Sequence, residues 1–393
     1  MADEKKLNIL FTDIGRGHPF YLDGICEEIE RKYSGRICIN IINVFDLSAG
    51  LSLLLWKLIR FIYKRGSQGG LFGKIYSVIR KNKKTDSFGF VEKILARGIR
   101  DYLKKNRYPT LVAHPMLIPM ISDLVDLYYQ HGELAVPDTV VVKAAKKIFV
   151  PDDNAKRRFC RKGIGESSLI ITGLCIEQKL QENAEMMFKK RLERLNSGME
   201  LTGAFFSSGA EPIEHVRKIV RILALLGEKG HKGIVFCKSG GRLEKTIRNN
   251  ISVEIFNSRE IKNDSTRYFN NSTVLMVLYK GRKEEDRYTE ILFRHFDYFV
   301  SPSHERTNWA LGLGLPMFIL HPLIGPFSPI NRDILVENDV AYEISDDKTA
   351  DRFAESLRQL SINGDLVRMA KNGYGRFRIS GFETIVRKLY LTV

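Results

Sequence analysis

The 393-residue chain is 44% hydrophobic and 27% charged, which excludes a largely disordered protein. A soft prior of about 150 residues per domain then calls for two or three domains. Its formal charge of +16 asks for an anionic partner: nucleic acid, an acidic membrane surface or a phosphorylated substrate. Five cysteines, Cys26, Cys38, Cys160, Cys175 and Cys237, are odd in number and widely spaced, which excludes a disulfide framework and suits a reducing compartment.

Residues 1 to 6 are polar and residues 7 to 12 are too short for a signal core, so a cytoplasmic chain is expected. Leu7 to Thr12 reads as a buried parallel strand, followed by Asp13-Ile14-Gly15-Arg16-Gly17-His18-Pro19 and a helix from Phe20 to Tyr33. Gly15 and Gly17 let the backbone turn sharply, and amides at the start of the helix suit an anion; an ordinary strand-to-helix turn also accounts for the pattern. Ile37 to Val44 reads as a second strand.

Residues 51 to 110 carry fifteen Lys or Arg against three Asp or Glu, so most of the excess charge is local. Within them, 51 to 65 is apolar, with Trp56 and Tyr63, and is broken by Lys57, Arg60, Lys64 and Arg65. This stretch is too short and too charged to cross a bilayer but suits a helix lying among lipid headgroups, with a core helix as the plainer alternative. A glycine-rich loop at 66 to 73 and a basic stretch at 74 to 84 extend the surface. Nucleic acid is disfavoured as the partner, because no stacking motif or zinc knuckle accompanies the charge.

Thr110 to His114 predicts a strand ending in a histidine, and Val140 to Val142, Ile148 to Val150 and Ser168 to Thr172 predict others. His114 is a candidate for the ligand edge of the sheet beside His18, or a structural histidine held by a loop. Residues 177 to 198 read as a charged helical linker. Beyond it, strands are predicted at Met199 to Phe206, His231 to Lys238, Val274 to Leu278, Asp297 to Val300 and Pro316 to Leu320, with helices at Ile213 to Leu226, Glu284 to His295 and Thr307 to Gly312. Ser207-Ser208-Gly209 before a helix is a candidate phosphate cradle, with Lys238 at the end of the next strand. The pattern predicts an α/β protein of two doubly wound Rossmann-like domains facing across a cleft, 1 to 176 and then 199 to 375, with a helical, strongly basic terminal segment from Asp365 to Leu391.

These residues resemble the two-domain (GT-B) glycosyltransferases of the lipid-linked branch, which contains monogalactosyldiacylglycerol synthase, the diacylglycerol glucosyltransferases and the MurG-type N-acetylglucosaminyltransferase. Gly15-Arg16-Gly17-His18 is similar to that family's first glycine turn, Ala113-His114-Pro115 to its His-Pro motif, and residues 51 to 84 to its membrane-apposed helix. Ser207-Ser208-Gly209-Ala210 resembles the diphosphate loop. Trp309-Ala310-Leu311-Gly312-Leu313-Gly314-Leu315-Pro316 resembles the E-A-L-A-x-G-L-P segment, and Gly325 and Asn331 resemble the ends of the loop that follows it.

The resemblance implies a terminal helix at 376 to 393 that crosses back to the first domain, and an inverting transfer of a sugar from a nucleotide sugar, UDP-linked by expectation, to a lipid acceptor at the cytoplasmic face of a membrane. The nucleotide sugar is a co-substrate, and no metal or other cofactor is implied. His18 is the expected base, Gly15, Gly17 and His114 the acceptor side, and Ser207, Ser208, Gly209, Lys238, His304, Arg306, Gly325 and Asn331 the donor side. Trp56, Lys57, Arg60, Lys64 and Arg65 are the expected membrane contacts. Three positions depart from the family: Trp309 stands where it has a ribose-binding glutamate, Pro326-Phe327-Ser328 where it has a glutamine and glutamate, and Glu177 where it has a basic residue. An indole donates one hydrogen bond and accepts none, so Trp309 cannot hold two ribose hydroxyls. A GT-B protein that has lost the donor site and acts by binding is therefore the alternative expectation. An epimerase of the same fold would need an acidic cluster that the sequence does not display.

Overall fold

The computed structural model describes residues 4–12, 14, 17–66, 89–198, 200–256 and 272–392, apart from the side chains of 64–66. The chain divides into two compact units: 1–176 with 377–393, and 177–376.

The first unit contains β1 (Lys5–Phe11), α1 (Gly17–Lys32), β2 (Ile37–Asn43), α2 (Gly50–Gly66), α3 (Phe90–Lys105), β3 (Thr110–Val112), α4 (Ile118–Ile121), β4 (Leu127–Gln130), β5 (Lys147–Val150), α5 (Asp153–Arg161) and β6 (Leu169–Ile171). Its six strands are parallel, in the order β2-β1-β3-β4-β5-β6. Leu7, Ile9, Leu10, Leu111, Ile148 and Phe149 are all buried, as strands covered on both faces require. Asp152 starts α5 by accepting a hydrogen bond from the Ala155 amide at 2.8 Å.

The valine run at 140–142 is not the strand its composition predicts. Pro137 opens a tight turn over Asp138–Val140, and the strand between β3 and β5 is Leu127-Tyr128-Tyr129-Gln130 instead.

The second unit begins with α6 (Gln178–Glu182) and α7 (Ala184–Ser197), so the stretch expected as a linker is packed structure. It continues through β7 (Thr202–Phe206), α8 (Ile213–Leu226), β8 (Lys232–Lys238), α9 (Arg242–Asn250), β9 (Glu254–Ile255), β10 (Val274–Tyr279), α10 (Arg282–Leu292), β11 (Tyr298–Ser301), α11 (Thr307–Leu313) and β12 (Met317–Leu320). It ends with α12 (Phe327–Glu337), β13 (Ala341–Ile344), α13 (Asp347–Asp351), α14 (Phe353–Ile362) and α15 (Asp365–Gly373). These strands form a seven-stranded parallel sheet in the order β13-β12-β11-β7-β8-β10-β9.

The chain then returns to the first unit as α16 (Gly381–Thr392). Phe382, Ile385, Val386 and Leu389 join the core that α1 covers, and Lys32 meets Glu383 at 2.8 Å. The return is stitched by Leu174 N donating to Arg378 O at 2.7 Å and Gly381 N donating to Leu174 O at 2.9 Å.

Both sheets reverse direction once. In the first, the chain goes from β1 to β2 on one side and later to β3 on the other; in the second, it fills β8, β10 and β9 before crossing to β11. Loops leaving the carboxyl ends of β1 and β3, and of β7 and β11, therefore diverge, and such points are where open α/β sheets hold ligands.

One buried cation holds the second unit's frame. Arg191 on α7 is 1% exposed and donates to Phe296 O at 3.1 Å, Leu313 O at 2.7 Å and Gly314 O at 3.1 Å, tying the approach to β11 to the end of α11. Burial pulls its pKa down to about 9. Arg191→Met removes a donor to three buried carbonyls and is expected to cost about 3 kcal/mol, read as a lower urea midpoint for this unit.

Candidate functional site

In the first unit, β1 ends at Phe11 and α1 begins at Gly17, which puts His18 in the opening turn of the helix. Asp13, Gly15 and Arg16 lie outside the described residues, as do 67–88, which include most of the glycine loop and the basic stretch expected there. His114 follows β3 and caps the turn Pro115–Leu117, its Nδ1 accepting from the Met116 amide at 3.2 Å. The structure brings the two histidines together, with ring centroids 4.7 Å apart and planes inclined at 60°. Both side chains are half-buried.

The sequence reading missed a third component, His131-Gly132-Glu133, because it missed the strand β4 that delivers it. Glu133 Oε1 lies 3.5 Å from where a Cβ on Gly17 would be, which puts a carboxylate against the start of α1. The Tyr21 ring packs so closely on Gly132 that a Cβ there would sit 2.2 Å from it, so only glycine fits. His131 is buried, with its ring 5.2 Å from Phe159. A His-Gly-Glu triplet after an aromatic run was the available signal.

In the second unit, Ser207 to Pro212 links β7 to α8, whose first turn has no side-chain cap. The hydroxyls of Ser207, Ser208 and Thr307 are buried without a hydrogen-bond partner among the described residues. Gly209 has open space around it. Glu211, in a left-handed conformation at φ 46°, turns its carboxylate to the amides that start α9, accepting from Arg242 N and Leu243 N. Lys238 is exposed at the end of β8.

The β11 loop carries His304 and Arg306. Burial lowers the His304 pKa. Arg306 is 6% exposed, paired with Glu285 and stacked 4.0 Å over the Phe206 ring, so its charge is already balanced within the unit. Trp309 is buried among Phe206, Phe293 and Phe299, and its Nε1 donates to Glu177 Oε2 at 3.1 Å. Two of the positions that depart from the resembled family thus partner each other. Asn331 is buried and donates to Ser303 O at 3.2 Å, securing the β11 loop, while Gly325 makes a left-handed turn (φ 80°) before α12.

On α2, Leu51, Leu54, Leu58 and Phe61 are each about half exposed or more, and Lys57 and Arg60 are exposed beside them. Trp56 corrects the sequence expectation: it is fully buried, tilted against Phe45, with its Nε1 donating to Leu95 O at 3.2 Å. The core packing of α2 on α3 takes the indole, which leaves leucine and phenylalanine on the outer face. The side chains of Lys64 and Arg65 lie outside the described residues. Among the described residues no helix is long and apolar enough to cross a membrane, and no group of three His, Cys, Asp or Glu could hold a metal ion.

No protein-family model matches the chain, and no curated protein matches it. Solved structures do. S. aureus MnaA, a co-structure with UDP, matches with TM-score 0.60 at 12% identity over 99% of this chain and 97% of that one. The UDP-GlcNAc 2-epimerase of Neisseria meningitidis, bound to UDP-GlcNAc, matches with TM-score 0.56 at 11% identity over 99% and 100%. Acinetobacter baumannii MurG matches with TM-score 0.57 at 8% identity over 99% and 100%. At such identities the likeness shows the fold, two doubly wound α/β units of the GT-B kind. The narrower resemblance to lipid-linked glycosyltransferases rests on the motifs alone.

His131 gives this region a pH signature. Burial, and secondarily His18, push its pKa down to about 3, against about 6.5 for an unfolded histidine. Between those values the unfolded chain binds the extra proton, so the contribution is full above about pH 6.5 and is lost as pH falls, on the order of 1 kcal/mol per pH unit. His131→Phe is expected to flatten that part of the stability profile in urea titrations from pH 4.5 to 7.5; an unchanged slope would assign the acid sensitivity elsewhere.

Proposed function

We propose that the protein transfers a sugar from a nucleotide sugar to a hydroxyl of a lipid acceptor, working peripherally at an anionic membrane surface on the cytoplasmic side. The observation that carries this reading is the His18–His114 pair, half-buried at the switch point of the first unit with Glu133 beside it. His18 takes the proton of the acceptor hydroxyl as its oxygen attacks the anomeric carbon. The bond to the diphosphate breaks with its electrons leaving on that group, and amides and hydroxyls stabilise the developing charge. In the second unit Ser207, Ser208 and Gly209 are the assigned diphosphate contacts, with Lys238 at their margin. Arg306 and Asn331 support this reading as residues that shape the loop rather than as direct contacts, since their polar groups engage Glu285 and Ser303.

A second reading is chemistry on the nucleotide sugar without an acceptor. Glu133, whose carboxylate lies against the start of α1, favours it, because it supplies one of the acidic groups such chemistry calls for. The names of two of the matched structures point the same way, to nucleotide-sugar epimerisation or binding.

Single-turnover assays with UDP- and GDP-sugars, with and without membrane lipids, separate the two. Acceptor-dependent transfer is expected, and His18→Gln is expected to lower it by at least about 100-fold. A change of sugar configuration without acceptor supports the second reading. Absence of turnover together with absence of UDP or GDP binding by calorimetry rejects both and leaves a binding protein of this fold.

Membrane docking rests on the α2 face. Each basic residue near an anionic surface contributes about 1 kcal/mol, so Lys57→Glu and Arg60→Glu are each expected to weaken co-sedimentation with phosphatidylserine vesicles about fivefold or more. Unchanged co-sedimentation of the double variant would reject the membrane assignment.

A further inference from the structure

We infer that Glu211 is a positioning residue: its side chain latches the Ser207–Gly209 loop of the second unit to the start of α9 and keeps that loop shaped for the diphosphate of a nucleotide sugar. The identity of the ligand rests on the transfer reading; the latch rests on the contacts themselves. Glu211 has φ 46°, in the left-handed region, and is one of two residues other than glycine with positive φ among those described. A side chain in that region strains the backbone in a way that glycine would avoid. What a glutamate adds at this position is reach, and its carboxylate meets a backbone amide 31 residues further along the chain.

The contacts run both ways. The Glu211 carboxylate accepts hydrogen bonds from Arg242 N and from Leu243 N, the latter at 3.4 Å, and the Arg242 guanidinium donates to Glu211 O at 2.6 Å. Gly241 stands at the N-cap of α9 and has no side chain to offer the first amides, so a carboxylate from another loop serves them instead. The approach is close enough to dictate residue 241: a Cβ there would lie 2.6 Å from Glu211 Oε1 and 2.7 Å from Lys238 O. The other end of the latch is tied into the cradle, because Glu211 N donates to Ser208 O at 2.9 Å. Taking the carboxylate off α9 would free Glu211 to leave its strained conformation, and the turn from Ser208 would go with it.

What the latch holds in place suits a ligand with acceptor oxygens. The hydroxyls of Ser207 and Ser208 are buried with no hydrogen-bond partner among the described residues, and a Cβ on Gly209 would meet nothing within 4 Å. The helix that follows, α8, begins without a side-chain cap, and the glutamate of its first turn, Glu214, is held by Arg217 at 2.6 Å. Glu211 carries the one carboxylate of the loop from Ser207 to Pro212, and that carboxylate is engaged at α9. A loop already fixed in its binding shape loses no affinity to ordering itself when the ligand arrives. Strain held in place by surrounding contacts is a recurring way of fixing such loops.

The latch can be read with and without ligand. In the full chain, amide hydrogen exchange resolved to single residues is expected to show Arg242 and Leu243 protected, and exchanging about tenfold faster or more in Glu211→Gly and in Gly241→Ala. Calorimetry with UDP, GDP and inorganic pyrophosphate is expected to show Kd raised about tenfold in Glu211→Gly, whereas Glu211→Gln, which keeps an oxygen that accepts from the amides, retains more affinity. The urea midpoint of Glu211→Gly is expected to change little, because relief of the left-handed strain offsets the lost cap. In turnover that variant is expected to raise KM and spare kcat. Gly241→Ala reaches the carboxylate by another route, so its effect on Kd is expected to vanish in the Glu211→Gly background; an effect that persists there arises at Lys238 O and counts against the latch. If Glu211→Gly does not fold, Glu211→Gln and Gly241→Ala decide the matter. Wild-type affinity in Glu211→Gly with its Arg242 and Leu243 amides deprotected, or wild-type amides that exchange as fast as the variant's, overturns the inference. The expected exchange without binding of any probe by the wild type supports the latch and counts against the transfer reading alone.

Discussion

A parallel sheet whose connections change side leaves its carboxyl edge open at one place, and the rest of this molecule is arranged around that constraint. Each strand on either side of the reversal must send its chain away from the other, so neither loop can cover the gap. In the first unit the gap receives His18 from the first turn of α1 and His114 from the turn after β3. In the second it receives Ser207 to Glu211 after β7 and His304 to Arg306 after β11. Residues separated by about a hundred positions in sequence meet because the topology leaves no other element to occupy the space.

The two gaps are furnished differently. That of the first unit keeps half-buried imidazoles and a carboxylate close together, groups that can exchange protons with a ligand. That of the second has closed much of its polar equipment on itself. The Arg306 guanidinium lies on the Phe206 face and is paired with Glu285, while Trp309 fills an aromatic cage and spends its only donor on Glu177. A buried ion pair is retained only where partners satisfy it, and removing either member would strand the other charge. What stays available there is backbone and hydroxyl chemistry in the Ser207 to Gly209 loop, which suits an uncharged cradle more than a charged clamp.

Most of the fold was legible in the sequence because parallel strands covered on both faces are written as apolar runs, as at Ala204 to Phe206, Ile234 to Cys237 and Val274 to Val277, and at Leu7 to Phe11 with the single buried Asn8. The failures share a physical cause. Tyr128, Tyr129 and Gln130 hide a central strand behind polar atoms, although all three are buried, while the valines at 140–142 imitate a strand that Pro137 converts to a turn. Trp56 looked interfacial since tryptophan favours boundaries, but a buried indole needs only one acceptor, and Leu95 O provides it. His18 and His114 could be found as motif residues. Glu133 had only the weak signal of a His-Gly-Glu triplet after an aromatic run, because its importance is a distance to the start of α1.

The return of α16 to the first unit sets an order of assembly. The second unit is continuous in sequence, from 177 to 376, and can complete its core as soon as its own residues have left the ribosome. The first unit cannot: the face of α1 that Phe382, Ile385, Val386 and Leu389 cover stays uncovered until the last helix has been synthesised. Of the two units, the one that begins earlier is thus the one that finishes later. During that interval this apolar seam faces solvent.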